Sequence, residues 1–217
     1  MRLWHRLIHF ISGYFRSRRA AALLRQYPQI VEWRICDLGG SRHFWQESKL
    51  PFNPANITIL NVSAGETGGY HDDDSREIPI VLYDGDVIPY ADQTYDLVIC
   101  NSVLEHVPPK CRDRLCHEMR RVGKRVYVQT PAYECPIEPH FVMPFLHWLP
   151  RRLGRVIAHI SPWAILSRPS RETFIEYFDG TRLLNRQEVA RLFPSATVRS
   201  ERVAGIAKSH LVFWAMQ

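Results

Sequence analysis

No aspartate or glutamate occurs in the first 31 residues of this 217-residue chain, although that stretch holds six arginines. Those six account for the whole formal net charge of +6, so everything after them is balanced. The rest of the chain supplies no basic stripe that would continue this N-terminal footprint. Nucleic acid is not an expected partner, because a phosphate footprint needs basic residues clustered along a face. No apolar run reaches 18 residues, which excludes a spanning helix. Cysteine is sparse and unordered. The five thiols (Cys36, Cys100, Cys111, Cys116 and Cys135) show no zinc-type spacing, and Cys111 with Cys116 and His117 is read as incidental, so no metal is expected. Reduced thiols in a cytoplasm are the simplest state. Internal repeats, low-complexity tracts and a linker between domains are also lacking. With 46% hydrophobic residues the chain can bury one sizeable core, and a single domain over residues 1–217 is expected.

What is present is an ordered series of apolar strands, each running into turn residues. Arg34 to Gly40 (RICDLGG) is a strand ending in a carboxylate and paired glycines, and Asn56 to Val62 (NITILNV) is a second. A third (VLYD) closes on Gly85 and Asp86; a fourth (YDLVIC) leads into Asn101 and Ser102; a fifth (RVYVQTP) ends at Pro131. Continuous apolar runs of this kind suit strands covered by helices on both sides. In an open parallel sheet, ligands bind at the carboxyl ends of the strands. Glycine at such an end lets the backbone turn sharply and approach a ligand that a Cβ would exclude. Asn61 falls 24 residues after Asp37, close to the roughly 20-residue spacing at which dinucleotide folds place a ribose-binding side chain. Its amide offers one acceptor and two donors; a loop-opening asparagine is an equal alternative.

This order, above all Tyr83 to Val107 (YDGDVIPYADQTYDLVICNSVLEHV), resembles the class I S-adenosylmethionine-dependent methyltransferases, of the type 11-like, small-molecule kind. The resemblance implies a Rossmann-like, doubly wound α/β fold: a mostly parallel seven-stranded sheet finished by an antiparallel C-terminal edge hairpin. It implies S-adenosylmethionine as donor. It places Asp37, Gly39 and Gly40 at the cofactor loop, Asn61 where relatives carry a ribose-binding acid, and Gly85 with Asp86 at the adenine, Asp84 competing for that role. Asn101 and Ser102 would lie by the methionine part. The triplet Leu104-Glu105-His106 would open a helix beneath the site, with His106 structural. Two departures stand out: Ser41 and His43 occupy later glycine positions of the motif, and a ribose acid is missing. The fourth strand also lacks the Asn/Asp-Pro-Pro-Tyr/Phe ending of amine-methylating relatives, which favours a hydroxyl acceptor on a small molecule, sugar or lipid-linked intermediate.

Residues 132–183 leave the carboxyl edge of the sheet and are expected to cover the site as a substrate-side insertion. Prolines at 131, 136, 139, 144 and 150 exclude a long helix at its start. Within it, Glu138 and His140 are two apart, so an extended backbone points both the same way. His140, steered by Glu138, is the candidate general base; a histidine that merely fixes the loop is the alternative. Phe141 to Leu149 is strongly apolar and is followed by Arg151, Arg152 and Arg155, a composition that fits a lid or a membrane-facing surface. Residues 1–31 read as a basic amphipathic helical segment. Residues 15–27 suit the helix before the first strand, and residues 1–14 suit contact with an anionic membrane or a partner. The three aspartates 72–74 read as a solvated loop tip. A cytoplasmic protein, peripheral at the membrane through residues 1–14, is the resulting expectation. A non-catalytic cofactor-binding or membrane-peripheral interaction protein on the same fold is the competing one.

Overall fold

The computed structural model describes residues 13, 15, 17–47, 51–63 and 78–216. Most of the expected membrane segment over 1–14, and the aspartates 72–74, lie outside the described residues. The strands are β1 (Ile35–Leu38), β2 (Ile57–Asn61), β3 (Ile80–Leu82), β4 (Leu97–Asn101), β5 (Arg125–Pro131), β8 (Thr197–Val203) and β9 (Ile206–Ala215). They form one seven-stranded sheet in the order β3-β2-β1-β4-β5-β9-β8. β2 is parallel to β1 and to β3, whereas β9 runs antiparallel to both β5 and β8. This is the expected doubly wound sheet with its antiparallel edge hairpin. By its internal contacts the chain divides into two units, residues 1–99 with 121–124, and residues 100–120 with 125–217.

In the first unit, the apolar strands supply the core. All four residues of β1 are buried, as are Ile57, Ile59, Leu60 and Asn61 of β2. Helix α1 (17–26) buries Ala20 and Leu23, three apart on one face. Helix α2 (Arg42–Glu47) starts behind Ser41, whose hydroxyl accepts from the Phe44 N–H at 3.2 Å. The serine that departs from the glycine motif therefore caps a helix, the task for which its side chain is suited. The turn over Ile88–Asp92 is held by Arg121, which donates to the Tyr90 and Ile88 carbonyls and pairs with Asp92 at 3.0 Å.

In the second unit, β5 pairs with β9 over seven residues and β9 with β8. Helix α7 (Arg186–Leu192) begins with a reciprocal capping box between Asn185 and Glu188. The insertion holds a two-residue hairpin, β6 (Ile137–Glu138) and β7 (Met143–Pro144), then α4 (Arg151–Ala158), α5 (Pro162–Ser167) and α6 (Arg171–Gly180). It has a core of its own, in which Phe141, Leu146, Ala158, Phe174 and Phe178 are buried together. Gly154 lets α4 settle on this cluster, since a Cβ there would meet Leu146 O at 3.3 Å and Phe178 at 3.4 Å. The expected helix at Leu104-Glu105-His106 does not form. Those residues make a turn, and α3 (Pro109–Val122) starts afterwards. Proline suits the first helical position, and the residue before a proline is pushed out of the α region, so Pro109 sets the start.

Candidate functional site

The first unit carries the glycine loop. Asp37 is buried and accepts from Trp45 Nε1 at 2.7 Å. Burial raises its carboxyl to about 7, with the Trp45 hydrogen bond pulling the other way. Its carboxylate lies under Gly40, where any Cβ would overlap it. Gly39 takes φ +68° and donates its N–H to Leu60 O at 2.7 Å. The two glycines thus do separate work: Gly39 makes the turn, and Gly40 makes room for Asp37. Asn61 ties this loop down by donating from Nδ2 to Gly40 O at 3.1 Å. Its Oδ1 is buried and accepts from no partner among the described residues. A buried orphan acceptor at the end of β2 fits a sugar hydroxyl donor, since an unmatched buried acceptor is costly. Gly85 takes φ +81°, and the turn around it is closed by Asp84, whose Oδ1 accepts from the N–H groups of Asp86 and Val87. Asp84 is thereby committed to the turn, and Asp86 follows as an exposed acid.

The second unit carries Glu138 and His140. Asn101 ends β4, and Ser102 follows at φ 57°, a left-handed conformation rare for serine. Ser102 is locked by Gln129, to which it donates from its backbone N–H at 2.9 Å and from Oγ at 3.0 Å. Strained non-glycine backbone of this kind gathers at ligand sites. Glu138 and His140 meet as the spacing requires: His140 Nδ1 donates to Glu138 Oε1 at 2.6 Å. The other Glu138 oxygen accepts from the Phe141 N–H at 2.6 Å, which fixes the carboxylate. His140 Nε2 lies 3.9 Å from Glu105 Oε1.

Glu105 is fully buried; its Oε2 accepts from Thr130 Oγ1 at 2.9 Å, while Oε1 has no hydrogen-bond partner among the described residues. Burial pushes its carboxyl up. For His140, burial alone would lower the imidazole, but the Glu138 hydrogen bond and charge, with Glu105 behind, raise it above its ordinary value. His106 packs edge-on to His140 with ring centroids 4.8 Å apart, and is lowered to about 4 by burial and by the His140 charge. Tyr177 packs on both rings and is raised to about 12, first by burial and then by the two carboxylates.

Glu105, the Thr130 that holds it and Tyr177 were not legible as the surroundings of His140. They come from a turn, a strand and a helix far apart in sequence, and no spacing rule joins them. Glu105, His106 and His140 each bring one ligand atom within 4.8 Å of the others. Among the described residues no hydrogen bond joins these three side chains to one another: His140 Nε2 and Glu105 Oε1 stand 3.9 Å apart, and the two imidazoles meet only by ring packing.

Beside these groups lies a cavity of about 800 Å³, with His106, Tyr133, Glu138, Phe141, Arg151 and Arg182 on its walls. That is a volume typical of small-molecule sites, and its walls carry charged side chains, Asp179 and Glu188 as well as Glu138, Arg151 and Arg182, beside the apolar ones.

Residues 43–126 match the methyltransferase domain family. No curated protein matches the chain. Among solved structures, a Pyrococcus horikoshii protein is 16% identical and has a TM-score of 0.56, the match covering 91% of this chain and 87% of that one. The magnesium protoporphyrin IX methyltransferase of Synechocystis, solved with bound SAH, is 14% identical with a TM-score of 0.54, over 95% and 84% of the two chains. A Rhodobacter sphaeroides protein that carries the name of a Zn-dependent alcohol dehydrogenase is 13% identical with a TM-score of 0.57, over 92% and 89%. At such identities the likeness speaks for the fold and not for the chemistry.

Proposed function

We propose that the chain is a class I S-adenosylmethionine-dependent methyltransferase, a reading supported by its match to the methyltransferase domain family over residues 43–126 and by its fold, and that it methylates a hydroxyl on a small molecule, a sugar or a lipid-linked intermediate. When bound, S-adenosylmethionine supplies an electrophilic methyl group on a sulfonium. Gly39 and Gly40 form the loop that admits it, Asn61 Oδ1 accepts from a ribose hydroxyl, and Gly85 with Asp86 borders the adenine. Asn101 and Ser102 take the methionine part. The acceptor occupies the cavity walled by His106, Phe141 and Arg151.

The observation that carries the hydroxyl reading is the 2.6 Å bond from His140 Nδ1 to Glu138. It fixes one tautomer, so that neutral His140 carries its lone pair on Nε2. His140 takes the acceptor proton there as the oxygen gains its methyl group, and Glu138 stabilises the imidazolium that forms. Glu105, whose carboxyl burial pushes up, stands 3.9 Å from the same Nε2.

Isothermal titration with S-adenosylmethionine, then mass spectrometry of a cell extract incubated with labelled donor, tests both halves of the reading. Label on an ether oxygen is the expected product. Label on nitrogen or carbon would remove the hydroxyl assignment, and absence of donor binding would leave a methyltransferase fold without turnover. His140→Ala should lower turnover by about 10²–10⁴-fold with cofactor affinity nearly unchanged. Full turnover in that variant would leave alignment of the acceptor alone to account for the rate.

A further inference from the structure

Residues 139–171 contain no aspartate or glutamate, against five arginines and three histidines. Within this stretch α4 turns Gly154 and Ala158 toward the insertion core and leaves Leu153 and Val156 on its outer side, 49% and 68% exposed. Ile160 follows at 67% and Ile165 of α5 at 59%. These helices are therefore apolar on both sides. The inner side is covered by Phe141, Phe174 and Phe178, and the outer aliphatics are open among the described residues. Four aliphatics this exposed, at positions 153, 156, 160 and 165, are the kind of surface that marks an interaction site when it is contiguous.

The charges around it are not self-neutralised. Arg151 and Arg155 pair with Asp179 at 3.1 Å and 2.6 Å, but Arg152, Arg168 and Arg171 make no ion pair among the described residues. Arg152 precedes Leu153 and Arg168 follows Leu166, so free cations bracket the aliphatics at both ends. Aliphatic side chains bordered by arginine are the composition of a helix lying in a lipid headgroup layer. Leucine and valine are under-represented among the anchors of protein interfaces, whereas a bilayer accepts them without a shaped pocket.

We propose that α4 and α5 form a membrane-docking face for an anionic bilayer. Leu153, Val156, Ile160 and Ile165 enter the boundary between headgroups and acyl chains, and Arg152 and Arg168 sit against lipid phosphates. The face lies wholly within the second unit. It shares α4 with the cavity, through Arg151.

The test is flotation of the full chain with phosphatidylcholine vesicles carrying about 30 mol% phosphatidylserine, and with phosphatidylcholine alone. The wild type should float with the anionic vesicles and lose binding as salt rises. A chain lacking residues 1–14 should keep measurable, salt-sensitive binding. The triple change Val156→Asp, Ile160→Asp and Ile165→Asp should weaken binding about tenfold or more in either background. Donor affinity and far-ultraviolet circular dichroism check that the variant is folded, and Val156→Ser with Ile165→Ser replaces it if it is not. Unchanged flotation of the triple variant would overturn the proposal, as would complete loss of binding on deleting residues 1–14 alone. A wild type that ignores vesicles but runs as a dimer, made monomeric by the triple change, would reassign the face to a second copy of this chain.

Discussion

At the level of single residues, burial decides most of the chemistry. Asp37 was legible as the acid closing the first strand, but nothing in the spacing indicated that its carboxylate would turn beneath Gly40 and bond to Trp45. Its raised value has a sign that can be checked. The unfolded chain releases this proton near 3.8 and the folded chain only near 7, so the group favours the fold below about 4 and loses that contribution as pH rises through 7. Asp37→Asn keeps an acceptor for Trp45 and removes the titration. Urea unfolding at several pH values should then lose a slope approaching ~1.4 kcal/mol per pH unit across that window. His140 shifts upward as well, through its carboxylates, so the stability from its charged pair is complete below 6.5 and fades as pH climbs past the raised value. As a base, it must first shed that proton. The acid limb of turnover should accordingly sit above pH 6.5, and Glu138→Gln should move it to lower pH while reducing the plateau less than His140→Ala does. A limb that stays in place would detach Glu138 from His140.

The secondary structure elements divide into those that pattern determines and those that distant partners determine. The strands were readable because a buried run of apolar residues has few alternatives, and α7 because Asn185 and Glu188 hold the two ends of a capping box. The turn at Leu104 to His106 was not readable. Its backbone is claimed from outside: Arg182 donates its N–H to Glu105 O at 2.7 Å, and Arg112 donates to Val107 O at 3.0 Å. A helix there would have consumed those carbonyls. Glu105 reaches His140 only because this turn replaces the helix. The cap carries a simple expectation: Asn185→Ala should destabilise the protein by about 1 kcal/mol, seen as a shift in urea midpoint without a change in slope. Ser102 offers a second. Glycine relieves its left-handed backbone and keeps the backbone bond to Gln129 but loses the Oγ one, so Ser102→Gly should alter donor affinity more than stability.

For the whole molecule, the fold was more legible than the site because fold follows from the order of elements, whereas the site depends on side chains that three separate segments bring together. The unbalanced charge of residues 1–31 is a property of this scale too, since it lends its sign to an otherwise neutral chain. Deleting residues 1–14 should lower affinity for anionic vesicles and leave titration with S-adenosylmethionine unchanged; a loss of donor affinity would assign the segment to the cofactor cleft. A different consequence follows from the two rims of the sheet. β3 spans three residues, and β8 breaks its register between Glu201 and Arg202 while displaying Arg199 and Arg202. Among the described residues an outside strand finds no long, regular ladder to extend on either rim, which is how natural sheets resist edge-to-edge aggregation. Concentrated solutions of this protein should therefore bind no amyloid dye while the fold is intact.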